Sequence, residues 1–162
     1  MKTKLILVVA FFLIVLTDGA AAQKKYKIYA NVRFEYTISY PSDLLTGQGE
    51  AVNGDGQVFK SKDGTSEMRV YGRYDALDQT LQQVYQEAID EIGAANVSDK
   101  VLRSNFFVVS GKKGDKIYYR KIIKSDDKFL TFMIEYDAAN KSTYDAVTAK
   151  IANSFKSQGS FN

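Results

Sequence analysis

The sequence predicts an α+β fold: one domain with a central antiparallel sheet and helices packed on both of its faces. Three observations lead there. Residues 32–40 and several later stretches alternate apolar with polar side chains, the period of a half-buried strand. Two segments, ending near Ile92 and Phe155, carry apolar residues at helical spacing instead. The hairpin expected over residues 116–136 has apolar residues on both faces, so its sheet needs cover on both sides.

The elements follow in order. Phe34, Tyr36, Ile38 and Tyr40 share one face of the first strand, and Pro41, the only proline, ends it because it has no N–H to give a ladder. Residues 42–56 carry Gly47, Gly49, Gly54 and Gly56 among polar residues and read as a loop. Val58 to Ser61 and Glu67 to Tyr74 read as strands joined around Asp63-Gly64. Met68, Val70 and Tyr74 face one way there, Arg69, Tyr71 and Arg73 the other. Leu77, Leu81, Val84, Tyr85, Ala88 and Ile92 make the stripe of a helix, capped at its start by Asp75 or Asp78 and stopped by Gly93. Strands follow at 97–103 and 106–110, then a turn at 111–115.

The 116–124 and 128–136 strands can be paired from sequence. With Asp126-Asp127 as the loop, Ile123 faces Leu130, Lys121 faces Phe132, Tyr119 faces Ile134, and Ile117 faces Tyr136. The other face pairs Lys124 with Phe129, Ile122 with Thr131, Arg120 with Met133, and Tyr118 with Glu135. A slip of one residue would mix the faces. A last helix starts at Asn140, with Tyr144, Val147, Ile151 and Phe155 as its buried stripe. Residues 156–162 read as a loose tail.

The amino terminus reads as a secretory leader. Lys2 and Lys4 precede an apolar run from Leu5 to Leu16, and Ala20, Ala21 and Ala22 offer a small-residue cleavage site. Cleavage after Ala22 makes residues 1–22 the signal peptide and 23–162 the domain, released to the periplasm or secreted. The run is too short for a stable membrane anchor, which needs about 20 apolar residues. The net charge is +3, too near neutral to argue for nucleic acid. The chain has no cysteine and no histidine. That excludes disulfides, thiolate sites, Ser-His-Asp triads and histidine-bound zinc. No cofactor or metal is expected.

Several of these stretches resemble the PsbP-like family. They are Phe34-x-Tyr36-x-Ile38-x-Tyr40-Pro41, the Phe59–Gly64 hairpin, the Leu77–Ile92 helix, Val108-Val109-Ser110-Gly111, Tyr118-Tyr119-Arg120-Lys121, and Ile151-Ala152-Asn153-Ser154-Phe155. The resemblance spans nearly all of 23–162 and is carried by structural rather than chemical motifs. It implies a scaffold without a catalytic motif. Members of the family include an extrinsic subunit of photosystem II and a nuclear-import factor that binds a small GTPase, and both act by binding protein. Some members hold metal through histidine, which this chain lacks.

The candidate binding residues are Tyr118, Arg120, Lys124 and Phe129, which share a face in a basic stretch. That face fits an anionic ligand, a sugar or a lipid head group. The competing reading is that a helix covers its apolar part while the basic heads reach water. Asn53-Gly54-Asp55-Gly56 fails a calcium loop at its sixth and twelfth positions, Val58 and Gly64. The tyrosines on core faces are accounted for by packing. The leading expectation is a non-catalytic exported domain that binds an unknown protein or envelope component. The alternative is a small-ligand or glycan binder with a pocket between the sheet and loop 42–56. A carboxylate-based hydrolase comes third, since no particular pair of acids stands out.

Overall fold

The computed structural model describes residues 25–158. The leader expected at 1–22, its expected cleavage after Ala22 and the end of the expected tail lie outside the described residues.

The fold is α+β, with two antiparallel sheets and two α-helices among the described residues. Alternation at 36–40 does make a strand, β2 (Tyr36–Pro41), but residues 32–35 do not extend it. They form the turn of a hairpin with a strand not anticipated from sequence, β1 (Tyr26–Asn31). Phe34 keeps its inward face from the turn, and Asn31 Oδ1 accepts the Phe34 N–H at 2.8 Å. The region read as a loop at 42–56 contains β3 (Thr46–Glu50), an edge strand with a register irregularity between Gly47 and Glu50. Its two glycines and polar side chains hide the strand period.

β4 (Gly56–Lys60) and β5 (Ser66–Tyr74) pair across the Asp63-Gly64 turn, and Gly64 takes φ +73 there. Helix α1 spans Leu81–Ile92, starting later than the sequence stripe suggests. Thr80, not Asp75 or Asp78, is its cap: Thr80 Oγ1 accepts the Gln83 N–H, and Gln83 Oε1 accepts the Thr80 N–H. This reciprocal box satisfies two donors at once. Leu77 therefore lies outside the helix, in water. Gly93 ends α1 with φ +87, as expected.

β6 (Val97–Leu102), β7 (Phe106–Lys113), β8 (Lys116–Ser125) and β9 (Lys128–Asp137) complete the large sheet. β7 runs through Gly111, so the turn is shorter than the five residues expected. The β8–β9 register matches the sequence pairing at all eight pairs named above. Helix α2 spans Lys141–Ser154. Asn140 precedes it but makes no side-chain cap; its amide donates to Thr65 Oγ1 instead. The tail is not loose at 156–157: those residues form β10 (Lys156–Ser157) on β2.

The large sheet has the order β3-β4-β5-β9-β8-β7-β6, and the small one β1-β2-β10. Two buried clusters result. Phe34, Tyr36, Ile38, Phe59, Met68, Val70, Leu130, Phe132 and Ile134 join Tyr144, Val147, Ile151 and Phe155 in the first. The α1 stripe of Leu81, Val84, Ala88, Ile89 and Ile92 closes on Phe107, Val109, Ile122 and Phe129 in the second. The small sheet fits closely against the large one. A Cβ added at Gly72 would stand 2.2 Å from Phe34 Cγ, so only glycine lets that ring lie on β5.

Phe132 is fully buried between Tyr119 and Phe155. Phe132→Ala should cost about 3–5 kcal/mol in equilibrium unfolding, the range for emptying a large aromatic from a core. Thr80→Ala should cost about 1 kcal/mol through the lost cap, whereas Asp78→Asn, which keeps a side chain that tolerates φ +50, should leave the stability of α1 unchanged.

Candidate functional site

Alternation sends Glu67, Arg69, Tyr71 and Arg73 of β5, Met133 and Glu135 of β9, and Tyr118, Arg120 and Lys124 of β8 to the same side of the large sheet as α1. Helix α1 rests on β6 and β7, covers Ile122 of β8 and Phe129 of β9, and leaves the β4–β5 part of that side and the Met133–Glu135 stretch of β9 open. A groove runs there, made of two adjoining cavities that share Arg69, Glu91, Arg120 and Met133. One holds about 310 Å³, between the end of α1 and Tyr118, Glu67 and Glu135. The other holds about 500 Å³ and reaches Gln48, Ala51, Asp55 and Gln57.

The groove's charges are mostly paired. Arg120 donates two bonds to Glu91, from Nη1 to Oε2 at 2.6 Å and from Nη2 to Oε1 at 2.8 Å. A fork of this kind fixes both orientation and charge. Burial pulls the Arg120 pKa down, but the Glu91 carboxylate outweighs it and the net direction is up. Glu91 is in turn held below the usual carboxylate range by Arg120. Glu67 meets Arg69 at 2.5 Å and Lys60 at 3.3 Å. Burial pushes its carboxyl up, yet those two cations bring it below the ordinary value. Glu67 and Glu135 stand opposite each other across β5 and β9. Lys116 lies 4.0 Å from Glu135 and 2.6 Å from Asp137.

Of the four residues singled out from sequence, the structure brings Tyr118 and Arg120 together on the groove. Lys124 and Phe129 belong elsewhere. Phe129 is fully buried under α1, so the expectation that it meets a ligand does not hold: the α1 stripe takes its face. Arg73 and Lys124 lie over its ring at 4.5 and 5.0 Å. Lys124 is spent on the approach to α1, where Nζ donates to Gln79 O at 2.6 Å and to Asp75 Oδ2 at 3.1 Å. Asp75 is lowered first by the Gln79 N–H and then by Lys124. Sequence reasoning missed Glu67, Arg69, Tyr71, Glu91 and Met133. The alternation of β5 and β9 gave their side of the sheet, but nothing local showed that α1 stops short of them.

Among the described residues, no group of three or more acidic side chains converges to hold a metal ion, and no helix is long and apolar enough to cross a membrane.

Arg120→Glu with Lys124→Glu should destabilise the fold by about 2–5 kcal/mol, since both cations hold partners and the Arg120 side chain is only 12% exposed. Two open surface sites would give at most about 0.5 kcal/mol each. The paired carboxylates also set an acid limit. Glu67 and Glu91 have folded pKa values below their unfolded ones, so their contribution is present above the unfolded range and is lost as pH falls through the lowered values. With no histidine in the chain, thermal stability should be nearly flat from about pH 5.5 to 8 and fall below about pH 4.5. Glu91→Gln should make the acid fall shallower.

No family model matches the chain, and no curated protein matches it. Among solved structures it is similar to the solution structure of cyanobacterial PsbP (CyanoP) from Synechocystis sp. PCC 6803. The TM-score is 0.63 at 14% sequence identity, over 86% of this chain and 96% of that one. At that identity the likeness speaks for the fold alone, and the fold is PsbP-like.

Proposed function

We propose that the chain is an exported, non-catalytic binding domain of the cell envelope or extracellular space, which uses the groove beside α1 to hold a segment of a protein or envelope component. In this reading residues 23–162 are one three-layer unit. Helix α1 covers one side of the large sheet, and α2 with the small sheet covers the other.

One observation carries the reading: the uncovered sheet surface is built from charges already held in ion pairs. Glu67 and Glu91 each have a cation that keeps them ionised. A carboxyl that serves as a general acid needs the opposite shift, upward toward neutral pH. The groove therefore suits recognition, with Arg69 on its open side, its side chain 56% exposed. Tyr71 and Met133 supply the apolar floor.

A second reading has its own observation. The cavity of about 500 Å³ lies between the sheet and residues 48–57, within the size of a small-ligand site. A small sugar or anion would meet Arg69, Tyr71 and Gln57 there.

The experiment is a pull-down from the envelope fraction of the native host, with the mature protein as bait beside Arg69→Glu and Tyr71→Ala. A partner held by the groove is retained by the wild type and lost by Arg69→Glu, and the difference shrinks as salt rises. A partner retained equally by all three baits removes the groove from the proposal. Release by added small glycans or anions would favour the second reading. Intact mass of the exported product should show a chain beginning at Gln23; a product retaining Met1 to Ala22 would overturn the export claim.

A further inference from the structure

Asn53-Gly54 is the single Asn-Gly pair in the sequence, and the fold leaves it where it can react. Both residues lie between β3 and β4, in the loop that walls the cavity of about 500 Å³ through Ala51 and Asp55. Asn53 is exposed. Gly54 takes φ +68, and a Cβ added there would meet nothing closer than Arg33 Cδ at 3.9 Å. With no side chain on Gly54, nothing on that residue shields its nitrogen from the Asn53 carboxamide. The other described asparagines precede Val32, Val97, Phe106, Lys141 and Ser154, whose side chains do. Asp55-Gly56 and Asp63-Gly64 share the spacing but not the chemistry. An ionised carboxylate is a poor electrophile, Gly56 is packed against Val70 O, and Asp63 Oδ1 is held by Ser61 and Thr65.

Two contacts favour reaction at this pair. Asn53 Oδ1 accepts the Asp55 N–H at 3.4 Å, which keeps the side chain turned back along the Gly54 peptide. The Arg33 guanidinium donates to Asn53 O, the carbonyl of the bond that joins Asn53 to Gly54. When Gly54 N gives up its proton, negative charge spreads onto that oxygen. A fixed donor there stabilises it, and an arginine stays charged throughout. Two bonds oppose the reaction. The Gly54 N–H donates to Ala51 O at 2.8 Å, and Asn53 Nδ2 donates to Asp55 Oδ2 at 2.7 Å. Both lie in a surface loop and open without unfolding the sheet.

We propose that Asn53 is a self-modification site, converted to isoaspartate and aspartate by attack of the Gly54 nitrogen, with Arg33 promoting the step. Gly54 N loses its proton to hydroxide and bonds to Asn53 Cγ. The Cγ–Nδ2 bond breaks, and Nδ2 takes a proton from water and leaves as ammonia. Water then opens the cyclic imide. Opening at Cγ gives aspartate, and opening at the Asn53 backbone carbonyl gives isoaspartate. Nothing is oxidised or reduced, and water is the only reactant consumed. Either product puts a carboxylate beside Asp55, where Asn53 Nδ2 now donates. Isoaspartate also adds a backbone carbon to a loop pinned by Asn31 Nδ2 to Gly54 O at 3.0 Å and by Tyr36 OH to Asp55 O at 3.2 Å. The cavity wall thus changes with the age of the molecule, whatever the groove holds.

The test incubates the mature chain at mildly alkaline pH and reads each asparagine by peptide mapping, with isoaspartate told from aspartate by electron-transfer fragmentation. Peptides holding Asn53 should gain the mass of water minus ammonia at least about tenfold faster than those holding Asn31, Asn96, Asn105, Asn140 or Asn153. The rate should climb as pH rises, and isoaspartate should be among the products. Asn53→Gln should abolish the gain. Arg33→Gln should slow it about threefold, with a thermal melt that overlays the wild type, because Arg33 is exposed. In urea, where Arg33 no longer lies on Asn53 O, the wild type and Arg33→Gln should convert alike. The proposal is overturned if folded Asn53 converts no faster than the other asparagines, or if aspartate is the sole product. It is equally overturned if Arg33→Gln converts as fast as the folded wild type or faster, or if it slows the unfolded chain by the same factor.

Discussion

The register of the β8–β9 hairpin decides where nearly every other side chain can go. Because strand side chains alternate, fixing Ile123 opposite Leu130 commits Phe132 and Ile134 to the α2 cluster and Ile122 and Phe129 to the α1 cluster. The turn that sets this register holds Asp126 at φ +53. A shift by one residue would place Lys121 and Arg120 on each other's sides. Lys121 shows what its present side demands. It is half-buried, its pKa is lowered by desolvation, and its Nζ donates to Ala152 O at 2.8 Å at the end of α2. Arg120, one residue away, reaches the opposite side and binds Glu91 of α1. Two adjacent cations thus fasten two different helices to one strand.

This explains which parts of the fold were legible in the sequence. Local periodicity was enough for β2, β4, β5, β8, β9 and both helices, since each buries one face and its pattern repeats over several residues. β1 and β3 were missed for opposite reasons. β1 has Tyr26, Ile28 and Tyr29 out of step with a two-residue period, because it is an edge strand with much of its surface in water. β3 is Thr-Gly-Gln-Gly-Glu, with no apolar side chain at all. Its pairing is backbone only, and no side-chain pattern records it. β10 is two residues long and owes its place to β2 rather than to its own sequence.

The candidate site was legible only in part, and again for a physical reason. Alternation correctly placed Tyr118, Arg120, Lys124 and Phe129 on one side of β8 and β9. It could not show what covers that side. The partners that neutralise Arg120 and Lys124 lie on α1 and just before it, 29 and 49 residues away in sequence. A run of lysines and arginines looks like a basic surface until the acids that fold back onto it are known. Here Glu91, Asp75, Glu135 and Asp137 do so, and the stretch that looked most suited to an anion is largely neutralised within the chain.

The same pairing shifts attention to the charges that remain unpaired. A charge already fixed in a bidentate bond contributes little to attracting a partner, since binding must first compete with the internal bond. Arg69 keeps an open side, and Asp78, Asp126 and Asp127 belong to no ion pair among the described residues, although Asp127 lies near enough to Lys128 to help raise its pKa. The sheet thus offers a groove whose charges are mostly paired and an end where exposed aspartates and arginines stand together outside any ion pair of the described residues. Raising salt should therefore change the behaviour of the exposed, unpaired charges before that of the groove's paired ones, because exposed charges are screened first.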